Sequence, residues 1–593
     1  MKNTYKVDEQ DVAAIDTGQV KRLVHYLKPY RKQVLATIAL MFVATLTELV
    51  GPYLLQRAVD VYIPNQDLTG LFIVSVLYLG AICGSYICSR IKISIAHRTG
   101  QHALLDLRTD LFNHVQSLSF NFFGSIPAGK VIVRIVNDIE TLNNLFTNGI
   151  VNVFTEFSML IVAASMMFII HPGLAMVTLA TVPVFMTLLF VTRNMIKREW
   201  RFVRKKLSNL NAFIHESIAG MKVIQAYVRQ RENDRIFHSV LDDVLTSWMR
   251  AIRINSAYGP TVDLVSVIGT AVIFWYGTRL MAIEGVTVGV VIAFTVYLRR
   301  FWQPVMMLTG YYNQLLVAMA SSERIFELLD EEPEIVSTPG ASALMDVKGK
   351  VEFDSVTFGY EAGQTVLHNT NFLVRPGESV AIVGPTGSGK TTIISLLSRF
   401  YDPVKGRILV DGLDIKDVSL KCLRDNIGIM LQDPFIFSGT ILDNIRYGKL
   451  DATEAEVIAV AQAVHVHDFI MKTDKGYYTE LTERGANVSI GQRQLICFAR
   501  VLLANPSILI LDEATASVDT HTELLLQKAI DRLLKNRTSF VIAHRLSTIR
   551  NADRIMVINK GRIVEMGSHD ELVAQEGLYK QLYTVQYSYL HAG

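Results

Sequence analysis

The sequence predicts two folds in one chain: an all-α membrane domain of six transmembrane helices with long cytoplasmic extensions, followed by an α/β domain of the phosphate-loop type. Three observations carry this expectation. Six apolar runs, each roughly the 20 residues needed to cross a bilayer core, crowd before residue 310. GPTGSGKT, Gly384 to Thr391, follows the strand-like SVAIV and precedes the helix-like TIISLLSRF. ILILDE, Ile508 to Glu513, is an apolar run closed by two carboxylates, as a central parallel strand would be. Averages over the 593 residues, 50% hydrophobic and 19% charged with a mean hydropathy of +0.29, conceal this division.

The six runs fall at 34–56, 70–95, 147–170, 173–196, 259–281 and 286–307. An even number of crossings returns the chain to its starting side. Basic residues indicate which side that is. Lys21, Arg22, Lys28, Arg31 and Lys32 precede the first run; Arg90, Lys92, Arg98, Arg108, Lys130 and Arg134 occupy the second connection; Lys197, Arg198, Arg201, Arg204, Lys205 and Lys206 open the fourth. The first, third and fifth connections carry almost none beyond Arg57 and Arg279 at their margins, and His171 to Gly173 is nearly the whole of the third. By the positive-inside rule both termini and the phosphate-loop domain are cytoplasmic in a multi-pass cell-membrane protein. The second and fourth connections alternate polar and apolar residues at helical spacing, so the membrane helices are expected to continue well beyond the lipid before turning back.

In the C-terminal half the chemistry can be assigned residue by residue. The backbone of Gly384, Pro385, Thr386, Gly387, Ser388 and Gly389 would close around phosphate oxygens at a helix N-terminus, and Lys390 would reach the β and γ phosphates of ATP. Thr391 would place its hydroxyl on Mg2+, with Ser388 and Thr392 as further donors nearby. Asp512 would hold the ion, and Glu513, one residue on, would polarise the water that attacks the γ phosphate.

VSIGQRQ, Val488 to Gln494, resembles the signature sequence of ATP-binding-cassette (ABC) ATPases, and other marks of that family follow in family order. Tyr360 resembles the residue that stacks on adenine, Gln432 the Q-loop glutamine beside Mg2+, and Thr482 to Gly485 the exporter-specific loop. Asp519 resembles the D-loop aspartate and His544 the switch histidine at the γ phosphate. Ser119 to Gly129 and Asn211 to Tyr227 resemble the two coupling regions of B-type ABC exporters, so the resemblance covers nearly the whole chain. The expected division is an N-terminal tail and elbow helix at 1–33, a transmembrane domain at 34–328, a linker at 329–350, marked by its acidic and Pro/Ser/Gly-bearing start, and an ABC nucleotide-binding domain at 351–593.

The same resemblance implies a dimer. One cassette per chain leaves each ATP to be closed by the signature of a second ABC half-transporter, through Ser489, Gly491 and Gln492. Here Val488 and Ile490 replace the leucine and first glycine of the usual LSGGQ. A β-branched side chain then stands where backbone should approach phosphate. That favours a heterodimer, a different chain being the partner, over tolerated variation in a homodimer. The expected activity is ATP-driven export of hydrophobic or amphipathic compounds of the multidrug type; a lipid flippase or peptide exporter working as a homodimer is the alternative.

Glu48, Glu156 and Asp263 lie in or near the apolar runs, where ionisable groups are costly. They would bind cationic amphiphiles, or else pair with Arg299, Arg300 or a second subunit. Phe274, Trp275, Tyr297, Phe301 and Trp302 would line a cavity, form an interfacial belt or simply pack. Four cysteines, Cys83, Cys88, Cys422 and Cys497, lack metal spacing. A net charge of +3 is explained by lipid-facing cations and gives no reason to expect nucleic acid as a partner. No cleavable signal peptide is expected ahead of the first run.

Overall fold

The computed structural model describes residues 17–337, 340–342, 344, 346–361, 363–512, 520–542 and 549–587. They form two compact units, one of Met1–Gln116 with Ala128–Glu331 and the other of Ser117–Pro127 with Glu332–Gly593.

The first unit is entirely helical. Thr17–Leu27 passes through a short turn, Lys28–Tyr30, into Arg31–Arg57. Among the described residues, five continuous helical stretches, Gly18–Tyr62, Leu68–Ser117, Ala128–Ile170, Pro172–Ala219 and Gln230–Glu284, are long and apolar enough to cross a membrane. At 1.5 Å per residue the 50 residues of Leu68–Ser117 span roughly 75 Å, more than twice a bilayer's hydrocarbon core. The run expected at 286–307 lies within a 42-residue helix, Val288–Leu329. Arg299 and Arg300 sit in the middle of that run and dilute its hydropathy.

This last helix is the hub of the unit's apolar core. Phe294, Tyr297, Leu298 and Trp302 pack with Leu49, Met167, Leu174 and Ile273. The Tyr297 hydroxyl donates to the Leu49 carbonyl at 2.7 Å, which resolves its one polar atom in an otherwise apolar setting. Asp60 holds the start of the helix by accepting from the Thr287 hydroxyl (2.6 Å) and the Gly289 N–H (2.7 Å). Its far end is tied by a two-pronged ion pair in which Arg22 donates to Asp330 at 2.6 and 2.7 Å. Pro172 opens the fourth stretch at a position where a missing N–H costs nothing, and His171 Nδ1 accepts from the Leu174 N–H at 3.1 Å.

The second unit is α/β. Its strands are β1 (Val351–Phe358), β2 (Leu367–Val374), β3 (Ser379–Val383), β4 (Lys405–Val410), β5 (Leu413–Asp414), β6 (Ile427–Met430), β7 (Gly439–Thr440), β8 (Glu480–Leu481), β9 (Ile508–Asp512), β10 (Thr538–Ile542), β11 (Arg554–Asn559) and β12 (Arg562–Gly567). β2-β1-β4-β5 is antiparallel, and β7 pairs with β8. The principal sheet runs β12-β11-β3-β10-β9-β6, parallel except for the edge strand β12.

Alternation along those parallel strands divides two cores. Val380, Ile382, Ile508, Ile510, Phe540 and Ile542 face a core shared with β1, β2, β4 and the helix Lys390–Leu397. Ala381, Val383, Leu509, Leu511 and Val541 face a second core, shared with the helix Ile490–Ala504. Burial on both sides explains why β3, β9 and β10 read as unbroken apolar runs rather than alternating ones.

Candidate functional site

Register alone brings the candidate residues to one edge. Met430 pairs with Leu511, Asp512 with Ile542, and Ile542 with Ile382. The carboxyl ends of β3, β6, β9 and β10 therefore emerge together, with β10 between β3 and β9. The loop beginning at Gly384 leaves β3 there, Gln432 lies just beyond β6, and Asp512 closes β9. Such an edge, outside the carboxyl ends of parallel strands, is where open α/β sheets bind ligands. Glu513, Asp519 and His544 follow β9 and β10 in sequence but lie outside the described residues.

The loop itself is shaped by two glycines. Gly384 has φ +154°, and a Cβ there would stand 2.1 Å from the Ile558 carbonyl oxygen. Gly389 has φ +107° and caps the helix Lys390–Leu397, a Cβ meeting Leu367 at 2.9 Å. The Lys390 ammonium donates to the Gly384 and Pro385 carbonyls at 2.8 and 3.0 Å. Burial pushes its pKa below the ordinary lysine range, and the charge of Asp512 works in the opposite direction. Ser388 is 3% exposed and its Oγ has no hydrogen-bond partner among the described residues. An orphaned hydroxyl, a half-buried cation and a helix N-terminus together fit a phosphate chain. Thr391, Asp512 and Gln432 offer hard oxygen donors suited to Mg2+, which when bound would neutralise developing charge on the phosphates.

Beside the loop, the Tyr360 hydroxyl lies 3.1 Å from Thr392 Oγ1, and its ring meets Tyr401 and Phe358 edge-on at centroid distances of 5.1 and 5.0 Å. Tyr360 remains 44% exposed, so one of its surfaces is available for stacking. Gln432 is exposed.

Ser489 and Gln492 satisfy each other. Ser489 Oγ accepts from the Gln492 N–H at 3.3 Å, Gln492 Oε1 accepts from the Ser489 N–H at 2.9 Å, and the two cap the helix Ile490–Ala504. The spacing of serine to glutamine is itself a capping-box pattern, a local signal that a ligand-centred reading passes over. Gly491 is buried, whereas Ile490, the first helical residue, is 43% exposed. Arg493 donates to the Arg484 carbonyl at 3.0 Å, fastening the Thr482–Gly485 turn to this helix.

Ser117–Pro127 belongs to the same unit as these residues. Phe120 packs on Phe400 with ring centroids 4.3 Å apart, while Asn121 and Ser119 donate to Glu334 at 3.0 and 3.4 Å. Arg424 lies over the other partner ring, 5.5 Å from the Phe400 centroid. Glu334 and Phe400 carry no motif in the sequence, and only the non-local contact reveals them.

In the helical unit, Glu48 is ion-paired with Arg300, which decides between the two expectations for this carboxylate in favour of a protein counter-ion. Glu156 is half-buried and Asp263 exposed. Tyr297 and Trp302 are core residues, whereas Phe274 and Trp275 face outward at 49% and 67% exposure.

A phosphate-binding sheet edge joined to a bundle of membrane-length helices defines an ATPase coupled to a membrane machine. Residues 34–305 match the family described as ABC transporter transmembrane region and residues 367–516 the family described as ABC transporter. The chain is 45% identical to the uncharacterized ABC transporter ATP-binding protein YknV of Bacillus subtilis, over 98% of its own length and 97% of that protein's. It is 40% identical to the fatty acid ABC transporter ATP-binding/permease protein of Mycobacterium tuberculosis, covering 82% and 76% of the two chains. YgaD of Bacillus subtilis, named on supposition as a multidrug export protein, is 35% identical over 96% and 99%. A solved bacterial Atm1-family ABC exporter with ATP bound matches with a TM-score of 0.77 and 29% identity, over 94% and 98% of the chains. This chain belongs to the ABC transporter family. It is a multi-pass membrane protein of the exporter type that couples ATP hydrolysis to transport.

Proposed function

We propose that the protein is one half of a dimeric exporter that moves hydrophobic or amphipathic compounds by alternating access. In this reading both termini and the nucleotide-binding domain are cytoplasmic, and Val288–Leu329 makes the sixth crossing. The single observation that carries it is the shared carboxyl edge of β3, β6, β9 and β10 in a chain whose other unit is membrane-length helix.

At that edge Gly384 to Gly389 wrap the phosphates, Lys390 holds the β and γ groups, and Thr391, Gln432 and Asp512 hold Mg2+. Tyr360 stacks on adenine. Glu513 takes a proton from the attacking water, and His544 contacts the γ phosphate. Ser489, Gly491 and Gln492, with Asp519, close the ATP held by the partner half. Binding favours the closed pair of cassettes, and hydrolysis releases it, a two-state switch biased by ligand.

The exposed Ile490 side chain at the head of its helix supports a heterodimer, in which this chain's signature closes the weaker of two sites. Copurification from native membranes followed by substrate-stimulated ATPase measurement tests this. A single species of chain hydrolysing ATP cooperatively would leave the homodimer. Lipid-like cargo is the second reading, supported by the likeness to the mycobacterial fatty acid transporter.

A further inference from the structure

Four ionisable side chains on four helices of the helical unit come together, Glu48, Glu156 and Arg300 within their apolar runs and Lys92 at the end of its own, where the basic second connection begins. Glu48 of Arg31–Arg57 is in direct contact with Arg300 of Val288–Leu329. Lys92 of Leu68–Ser117 is only 7% exposed, and its ammonium meets Thr155, the residue before Glu156 on Ile150–Ile170, which brings it into the field of Glu156 and Glu48.

The two pairs are built differently. Glu48 and Arg300 close a salt bridge. Lys92 and Glu156 do not: the Lys92 ammonium donates to the neutral Thr155 hydroxyl at 3.3 Å, and among the described residues no hydrogen bond or ion pair of Glu156 is found, although its charge also acts on Tyr311. An ammonium carries three donors and a carboxylate about four acceptor sites, so both groups keep most of their capacity unused. A purely structural pair in lipid would be expected to close as Glu48 and Arg300 do, since unsatisfied charge there is costly. Two carboxylates and two cations leave the cluster neutral as a whole. A cationic ligand would be repelled by Lys92 and Arg300, an anionic one by Glu48 and Glu156, while a head group bearing both charges matches each open group with its opposite.

We propose that Lys92 and Glu156 recognise the head group of a zwitterionic amphiphile, its anionic part on Lys92 and its cationic part on Glu156, with the Glu48–Arg300 pair completing the field. This rests on the export reading and narrows its cargo.

The test is equilibrium binding to the full-length protein in nanodiscs, without nucleotide, so that it stands apart from whether the protein pumps. Dodecylphosphocholine, dodecanoate and dodecyltrimethylammonium, each below its micellar concentration, share one chain length and differ in head charge. Wild type should bind the phosphocholine roughly tenfold tighter than the other two, one charge-assisted contact being of that size. Lys92→Gln should erase the discrimination against the cation, Glu156→Gln that against the anion, and Lys92→Arg should retain the wild-type order. A wild-type preference for either singly charged probe, equal binding of all three, or an order unchanged by both neutral substitutions overturns the proposal. Should a glutamine variant not fold, the wild-type and Lys92→Arg orders still decide.

Discussion

Phe120→Ala removes the ring that joins Ser117–Pro127 to the rest of its unit. Phe120 is 52% exposed, so roughly 100 Å² of its side chain is covered, and it packs on Phe400 at a centroid distance of 4.3 Å. At about 25 cal/mol per Å² the lost burial amounts to roughly 2.5 kcal/mol, and ring packing adds about 0.5 to 1 kcal/mol. These are upper values, because the segment's partner surfaces can relax. The hydrogen bonds from Asn121 and Ser119 to Glu334 survive the substitution and retain part of the attachment. Each 1.4 kcal/mol is a factor of ten, so amide hydrogen exchange across Phe120–Ser125 should accelerate by about tenfold or more. Exchange in β3 should stay as it was. If this contact transmits the cassette's state, more ATP will also be consumed per substrate molecule moved. Exchange over this segment indistinguishable from wild type would refute the reasoning, since the ring contact would then contribute nothing to its attachment.

Three further outcomes are expected. Gly384→Ala forces a Cβ to 2.1 Å from the Ile558 oxygen at φ +154° and should abolish binding of a fluorescent ATP analogue; retention of near-normal affinity would mean the loop has a conformation other than this one. Ile490→Gly should raise the ATPase rate of the assembled transporter several-fold although glycine costs the helix up to about 1 kcal/mol; an unchanged or lower rate would remove the signature's substitution as the cause of a weaker site. Glu456, beside the Lys449 ammonium and accepting from the Thr453 N–H and hydroxyl, is held down to about 2 from an ordinary 4.5. A depressed carboxylate stabilises the fold above its ordinary pKa and loses that contribution as pH falls toward the folded value. The difference in melting temperature between wild type and Glu456→Gln should therefore be constant from pH 7 to about 5 and shrink at lower pH; a gap that widens on acidification would contradict this.

The parallel strands were legible because each is buried on both faces, which leaves unbroken apolar runs at Ser379–Val383 and Ile508–Asp512, and because the phosphate loop fixes strand, turn and helix in a few residues. Five membrane-length helices were legible from hydropathy. The sixth run, 286–307, was legible as well although Arg299 and Arg300 dilute its middle, and Arg300 was among the partners weighed for Glu48, 252 residues away in sequence. The partnerships of Glu334 with Asn121 and of Phe400 with Phe120, by contrast, leave no periodicity or spacing in the chain. They arise only when distant segments meet. Ser489 and Gln492 illustrate the opposite case: the local capping pattern was present in the sequence, and it lies beneath the family signature rather than competing with it.

Coupling is tested most directly in proteoliposomes loaded with ATP and Mg2+, following a labelled amphiphile for wild type and Glu513→Gln with whichever partner half copurifies. Wild type should build a nucleotide-dependent gradient, and Glu513→Gln should bind ATP yet build none, its hydrolysis falling by about a hundredfold or more. Equal gradients from the two proteins, or none from wild type while it hydrolyses ATP, would contradict the coupling of this ATPase edge to transport.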